Sequence, residues 1–269
     1  MRPINILYFL LPFLGVSQLQ EKDAIANKLF VCYGKVNPEL ITGYDLVILE
    51  SEHYTSSEIA IFNRNNTKVA AYISLTEVNE YASFYKEMAP YTLGKNGIWN
   101  SRFIDIKNKK AQEVLLKVIN KIKQKGIEGL FLDNLDNVSQ WGNLRNQKEE
   151  FIALLKRIKV ENKNLFLVQN SGLFLAKELK NITNSIVVES VVSAYDFAKK
   201  EYAIRDINTQ REIVKNLRQA KKIAKKPIYI IEYAETSRMK KMISREAKKI
   251  DFSVFVAQID LQSIPKFKI

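Results

Sequence analysis

A short apolar run, Gly129-Leu130-Phe131-Leu132, ends abruptly in Asp133, and a second carboxylate follows at Asp136. In a barrel of parallel strands the reactive groups stand where the strands finish, so an acid at that point is a candidate for proton transfer or nucleophilic attack. The ordinary uses of such an Asp are to cap the next helix or to pair with a lysine. The same ending recurs along the chain. Apolar runs finish in Tyr33, in Glu50, in Tyr72 with Ser74 and Glu77, in Asn170, in Glu189, in Glu232 with Tyr233, and in Gln258 with Asp260. Taken singly, Glu50 or Glu232 reads as a rim ion pair and Tyr33 or Tyr72 as the top of a core. Taken together they outline a cleft of carboxylates, amides and aromatic faces, a lining suited to carbohydrate.

Positioning such residues requires alternating strands and helices. From residue 29 onward, β-branched apolar runs alternate with amphipathic stretches, the pattern of βα units around a parallel sheet. The spacing predicts eight strands: 29–33, 46–50, 69–74, 129–133, 165–170, 186–189, 228–233 and 252–257. Helices are expected over 56–65, 77–88, 111–125, 146–161, 173–179, 209–224 and 237–249, while 35–44 is too short for a full helix. With 269 residues and 46% hydrophobic side chains, the chain suits one (β/α)8 TIM barrel, an α/β fold, over residues 28–264. Residues 90–109, with Gly94, Gly97, Trp99 and an extended run ending at Asp105, do not fit the alternation. They read either as a long loop over the mouth of the barrel or as a ninth strand within the sheet.

Composition narrows the chemistry. The single histidine, His53, cannot supply a multi-histidine metal site, so no metal is expected. Glycine-rich phosphate turns after strands seven and eight are missing, as is a nucleophile elbow of the G-x-S-x-G kind. Paired carboxylates remain, and they need no cofactor. Lys and Arg number 42 against 29 Asp and Glu, a formal charge of +13. The basic residues are spread over amphipathic helices, which argues against a dedicated nucleic-acid groove and favours residence near an anionic wall, membrane or polymer. No obligate protein partner is evident.

The first 17 residues read as an export signal. Arg2 gives a minimal positive start, residues 4–13 are mostly apolar, and Gly15-Val16-Ser17 offers small residues for cleavage. A secreted, periplasmic or envelope location is therefore expected. The lone Cys32 excludes an intramolecular disulfide and reads as a small buried side chain.

Several segments in this order resemble the glycoside hydrolase family 114 type barrel, which includes endo-α-1,4-polygalactosaminidases. They are Val69-Ala70-Ala71-Tyr72-Ile73-Ser74, Glu77 and Tyr81, the Trp99 to Asp105 segment, Gly129-Leu130-Phe131-Leu132-Asp133, Val168-Gln169-Asn170 and Val187-Val188-Glu189-Ser190. The resemblance implies an endo-acting hydrolase of an amino-sugar polysaccharide with Asp133 and Glu189 as its catalytic pair, and the ends of strands four and six, one strand apart, would let inward-leaning side chains approach the ~5–5.5 Å of a retaining pair. In this reading Asp133 is the nucleophile and Glu189 the acid/base. Tyr33, Glu50, Tyr72, Glu77, Asp105, Asp136, Asn170, Glu232 and Tyr233 would bind substrate or tune the acids, and Trp99, Trp141 and Tyr195 would offer stacking faces. Family members commonly carry Gly-Glu-x-Glu-x-Tyr-Arg after the third strand, where this chain has Thr76-Glu77-Val78-Asn79-Glu80-Tyr81-Ala82. That departure motivates the alternative of a glycan- or wall-binding barrel without turnover.

Overall fold

The structure is a computed structural model that describes residues 28–269; the expected export signal lies outside them. Eight strands pair in parallel to build the barrel: β1 (Leu29–Cys32), β2 (Leu46–Leu49), β3 (Val69–Ser74), β7 (Gly129–Asp133), β8 (Phe166–Asn170), β9 (Ser185–Glu189), β12 (Ile228–Tyr233) and β13 (Ser253–Ala257). All eight were expected from sequence. The β-branched and apolar runs of the first seven are buried on both faces, as parallel strands under a helical layer require, while β13 is only half-buried before Ala257. The helices α1 (Ser56–Asn65), α3 (Lys109–Gln124), α4 (Lys148–Glu161), α5 (Ile207–Ala224) and α6 (Ser237–Ile250) occupy the crossovers. Between β1 and β2 there is only a single turn at Pro38–Leu40.

Alternation along each strand sorts its side chains. Leu29 and Val31, Leu46 and Ile48, Ala70, Phe131, Val168, Val187, and Tyr229 with Ile231 pack inside the barrel. Their neighbours Phe30 and Cys32, Val47 and Leu49, Ala71, Leu130 and Leu132, and Leu167 face the helices. The barrel closes where β13 returns beside β1, with Phe30 and Phe255 in edge contact at 5.6 Å and Tyr33 N–H donating to Leu261 O at 2.7 Å. Gly34 is required at this seam, since a Cβ there would lie 2.0 Å from Gln262 O.

Two excursions leave the mouth of the barrel. The segment after β3 is not the helix expected over 77–88. Its first residues form β4 (Glu77–Asn79), which joins β5 (Thr92–Asn96) and β6 (Ser101–Ile104) in a separate antiparallel sheet of order β4-β6-β5, and only Tyr85–Met88, α2, is helical. Residues 90–109 are thus neither plain loop nor a ninth barrel strand. The second excursion is a hairpin of β10 (Ser193–Asp196) and β11 (Glu201–Ile204), which the sequence pattern did not reveal. The helix expected over 173–179 contracts to one turn, Leu173–Leu175.

Glu232 fixes the root of this hairpin. It lies on the outward parity of β12, fully buried, and accepts from the backbone N–H groups of Val191 (3.0 Å), Val192 (2.8 Å) and Ser193 (2.7 Å) and from Ser193 Oγ (2.5 Å). Burial raises its pKa, and these donors pull it back. The expectation that Glu232 contacts substrate is therefore corrected: the β12 residue that faces the mouth is Tyr233. Glu232→Gln would point an NH2 group at N–H donors, and is expected to lower unfolding stability by about 2–3 kcal/mol in urea denaturation. Stability equal to that of the parent chain would refute this anchoring role.

Candidate active site

Parity aims one residue from the end of each of several strands into the mouth. Continuing the inward series places Tyr33 after β1, Glu50 after β2, Tyr72 on β3, Asp133 on β7, Asn170 on β8, Glu189 on β9 and Tyr233 on β12 on the same side as the core residues below them. On three successive strands the next residue is left-handed: Asn134 (φ 62°), Ser171 (φ 52°) and Ser190 (φ 58°). For non-glycine residues this conformation costs on the order of 1 kcal/mol each. Here it turns the chain sharply outward directly after Asp133, Asn170 and Glu189.

These three form a connected unit. Asn170 donates one Nδ2 hydrogen bond to Asp133 Oδ1 and another to Glu189 Oε1, each 2.8 Å long. The two carboxylate oxygens are therefore no more than twice that distance apart, and with amide N–H bonds diverging at about 120° the separation is about 5 Å. Tyr72 Oη donates to Asp133 Oδ2 at 2.9 Å, and Tyr233 Oη donates to Glu189 Oε2. Tyr33 packs edge-on against Tyr72 at 5.0 Å.

Electrostatics separate the two acids. Burial raises both pKa values. Asp133 is drawn back by Asn170, by the Asn134 backbone N–H and by Tyr72 and pushed up by the charge of Glu77, and Glu189 is pushed up by the charge of Asp133 and drawn back by Tyr233 and Asn170. Burial and the neighbouring carboxylates hold the pKa values of Tyr33, Tyr72 and Tyr233 well above the usual phenol value, so all three remain neutral; Tyr72 and Tyr233 are the donors.

A cavity of about 870 Å³ opens above this unit, lined among others by Tyr33, Glu50, Tyr72, Glu77, Asp133, Glu189 and Tyr233. Glu52 and Asp260 add carboxylates to its wall, against Lys121 and Lys125. Glu77 is 5% exposed, and its oxygens are taken by Asn137 Nδ2 (2.8 Å), Asn96 Nδ2 (3.3 Å) and Ser101 Oγ. It contributes charge to the cavity and ties the β4-β6-β5 sheet to the barrel. Asp105, Asp136 and Trp141 do not line the cavity, contrary to expectation. Asp105 accepts from Lys107 N–H at the start of the turn before α3, and Trp141 is 87% exposed. Trp99 does line it and meets Phe197, from the hairpin, edge-on at 5.1 Å. Tyr195 stacks behind Phe197 at 5.0 Å. Sequence reasoning missed Phe197, Asn137 and Ser101, because the excursions that carry them have no barrel periodicity.

Glu50 provides a measurable consequence of this enclosure. Burial pushes its carboxyl up to about 7 from 4.5, although its Oε1 caps the turn at Ser51–His53 by accepting from Glu52 N–H at 3.1 Å. Between those two values the folded chain holds a proton that the unfolded chain releases, so the contribution is fully present below 4.5 and is lost as pH rises through about 7. Glu50→Gln keeps the capping oxygen and removes the charge. It is expected to raise stability by about 1–3 kcal/mol near pH 8 and to change it little near pH 4. Denaturant titrations at the two pH values would show this, and an equal effect at both would exclude it.

The glycoside hydrolase domain of PelA from Pseudomonas aeruginosa superposes with a TM-score of 0.79 and 21% identity, over 90% of this chain and 98% of that one. Ega3 from Aspergillus fumigatus, solved in complex with galactosamine, matches with a TM-score of 0.67 and 15% identity, over 90% and 95% of the two chains. At these identities the likeness establishes a shared barrel. No curated protein gives a significant sequence match. The model of glycoside-hydrolase family GH114 matches residues 20–267, nearly the whole length described above, and the chain belongs to that family.

Proposed function

We propose that this protein cleaves an amino-sugar polysaccharide of the galactosamine type, internally and with retention of configuration, through Asp133 and Glu189. The observation that carries the reading is the Asn170 bridge. It supports a carboxylate separation of about 5 Å, which matches the ~5–5.5 Å of retaining pairs and is too short for the ~6.5–9.5 Å that an inverting enzyme needs to admit water.

In this mechanism Glu189 carries the proton and delivers it to the glycosidic oxygen as the bond to the anomeric carbon breaks. Asp133, ionised and held by Tyr72 and Asn170, attacks that carbon from the opposite face to form a glycosyl ester. Glu189, now a carboxylate, removes a proton from water, and the water oxygen displaces Asp133 and restores both groups. Tyr72 and Tyr233 stay neutral throughout and keep the two carboxyl groups oriented. A cationic sugar chain is repelled by a protein of net charge +13, but among the charged groups lining the cavity the carboxyls of Glu50, Glu52, Glu77, Asp133, Glu189 and Asp260 outnumber the ammonium groups of Lys121 and Lys125. Within a Debye length of about 8 Å the local charge governs binding.

Asp133→Asn and Glu189→Gln are each expected to reduce hydrolysis of a galactosamine polymer at least ~10³-fold with the fold intact, because each keeps its size at a strand end. Near-normal turnover of either variant would overturn the assignment. Proton NMR of the first product released should show the anomeric configuration of the substrate; an inverted product would exclude Asp133 as nucleophile. A chain that binds the polymer but releases no reducing ends would be a glycan-binding barrel instead.

Export is part of the same proposal, motivated by the apolar run at residues 4–13 and the small residues before Gln18. Mass spectrometry of protein recovered from the envelope or medium is expected to find Gln18 at or near the N-terminus. Intact Met1 on cytoplasmic protein would refute it.

A further inference from the structure

The positive charge of the molecule is concentrated on one flank. Residues 207–250 hold thirteen Lys and Arg against four Asp and Glu, a net +9 of the chain's +13. Helices α5 and α6 carry nearly all of it, on neighbouring outer crossovers beside β9, β12 and β13. Of the thirteen cations only Lys226 is buried. Only Lys249 is in an ion pair, with Glu246 at 2.7 Å. Elsewhere Lys35, Arg64, Lys95, Arg102, Lys117, Lys148 and Arg157 all pair with carboxylates. Surface cations left without counter-charges repel one another, so this arrangement costs stability unless an anionic surface supplies the charge.

Two further observations point to the chemistry of that surface. Exposed apolar side chains, Ile207 (51%), Ile223 (39%) and Met242 (44%), are interleaved with the cations on the same two helices. On α6 a shallow depression is lined by Ser237, Lys240, Lys241, Ser244, Arg245 and Lys248, with Phe267 at its wall, so that four cations and two hydroxyls are of a character to receive phosphate head groups. The aromatic faces beside it are already used: Lys240 Nζ sits over Phe267 at 4.7 Å and Lys221 Nζ over Phe252 at 5.1 Å. The flank therefore offers no stacking platform of the kind that single-stranded nucleic acid requires. Cations mixed with apolar groups on the outer face of two helices suit an anionic lipid interface, where heads and acyl boundary are met together.

We propose that the α5–α6 flank docks this protein on an anionic phospholipid surface. The barrel then lies on its side, because the helices run along its wall, and the cleft at the strand ends opens along the surface. This inference does not depend on the hydrolase reading.

The test is co-sedimentation of the full chain with phosphatidylglycerol/phosphatidylcholine vesicles in equal parts and with phosphatidylcholine vesicles alone. Tight binding to the first, loss of it with added salt, and weak binding to the second are expected. Insertion of the apolar N-terminal run would act on both vesicle types and so cancels in the comparison. Reversing Arg218, Lys222, Lys241 and Arg245 to Glu is expected to lower partitioning at least ~10²-fold while leaving the thermal transition in place. A set with Gln at the same four positions is expected to lose a smaller part, and serves if the reversed chain does not fold. Binding unchanged in either folded set, or equal on both vesicle types, overturns the proposal. Full competition by inorganic phosphate or by duplex DNA at matched ionic strength, with Ile223→Ala and Met242→Ala without effect, would assign the flank to a soluble anion and also overturn it.

Discussion

Two carboxyl groups enclosed side by side, with no cation pairing with either among the described residues, set the terms for the rest of this structure. Burying one charge is costly, and burying two of the same sign is costlier, so both pKa values are raised and neutral donors occupy the remaining lone pairs. Asn170 meets that requirement from the strand between them. It is 8% exposed, its NH2 group satisfies both partners at once, and its Oδ1 is left without a hydrogen-bond partner. An unpaired buried amide oxygen costs on the order of 1–3 kcal/mol. The fold tolerates this because the opposite orientation would set a carbonyl oxygen against two acids. The tyrosines on β3 and β12 complete the arrangement from either side, and their neutrality follows from the same enclosure.

The constraint propagates outward through charge. An acidic mouth is embedded in a strongly basic molecule, and the two coexist because they are carried by different layers. Strand ends supply the carboxylates, and the wet faces of the crossover helices supply the lysines. The basic exterior and the carboxyl groups of the cavity are thus separate features of one molecule.

Much of this was legible in sequence. The eight strands, their ends and the candidate acids follow from apolar runs that stop at polar residues. Parity was the unused information: adjacent residues on one strand face opposite sides, so Glu232 and Tyr233 could not both line the cleft. With Tyr229 and Ile231 inside, Tyr233 is the one that does. The failures lie outside the repeating pattern. Glu77 to Met88 has a helical look in its spacing, yet its first residues are pulled into a sheet by pairing with Ser101–Phe103, a non-local contact that local propensity cannot anticipate. The hairpin carrying Phe197 is held by Glu232 from 39 residues or more away, which explains why no local signal announced it.

The departure from the family pattern after β3 can now be judged by what its residues touch. Thr76 stands where relatives commonly have Gly; its hydroxyl donates to Asn134 O at 2.9 Å and accepts from Asn137 Nδ2 at 3.0 Å. Asn79 replaces a Glu and closes the β4 end by donating to Trp99 O at 3.0 Å and accepting from Tyr81 N–H at 2.9 Å. Ala82 replaces an Arg and packs against the core. None of the three reaches Asp133, Asn170 or Glu189. Asn79 ties together the segments that carry Tyr81 and Trp99, Thr76 ties the end of β3 to the turn after β7, and Ala82 brings no charge to the cavity wall it lines. The changes therefore leave the paired acids and their donors untouched. Loss of turnover would call for a change within that unit, and the sequence departs only at its edge.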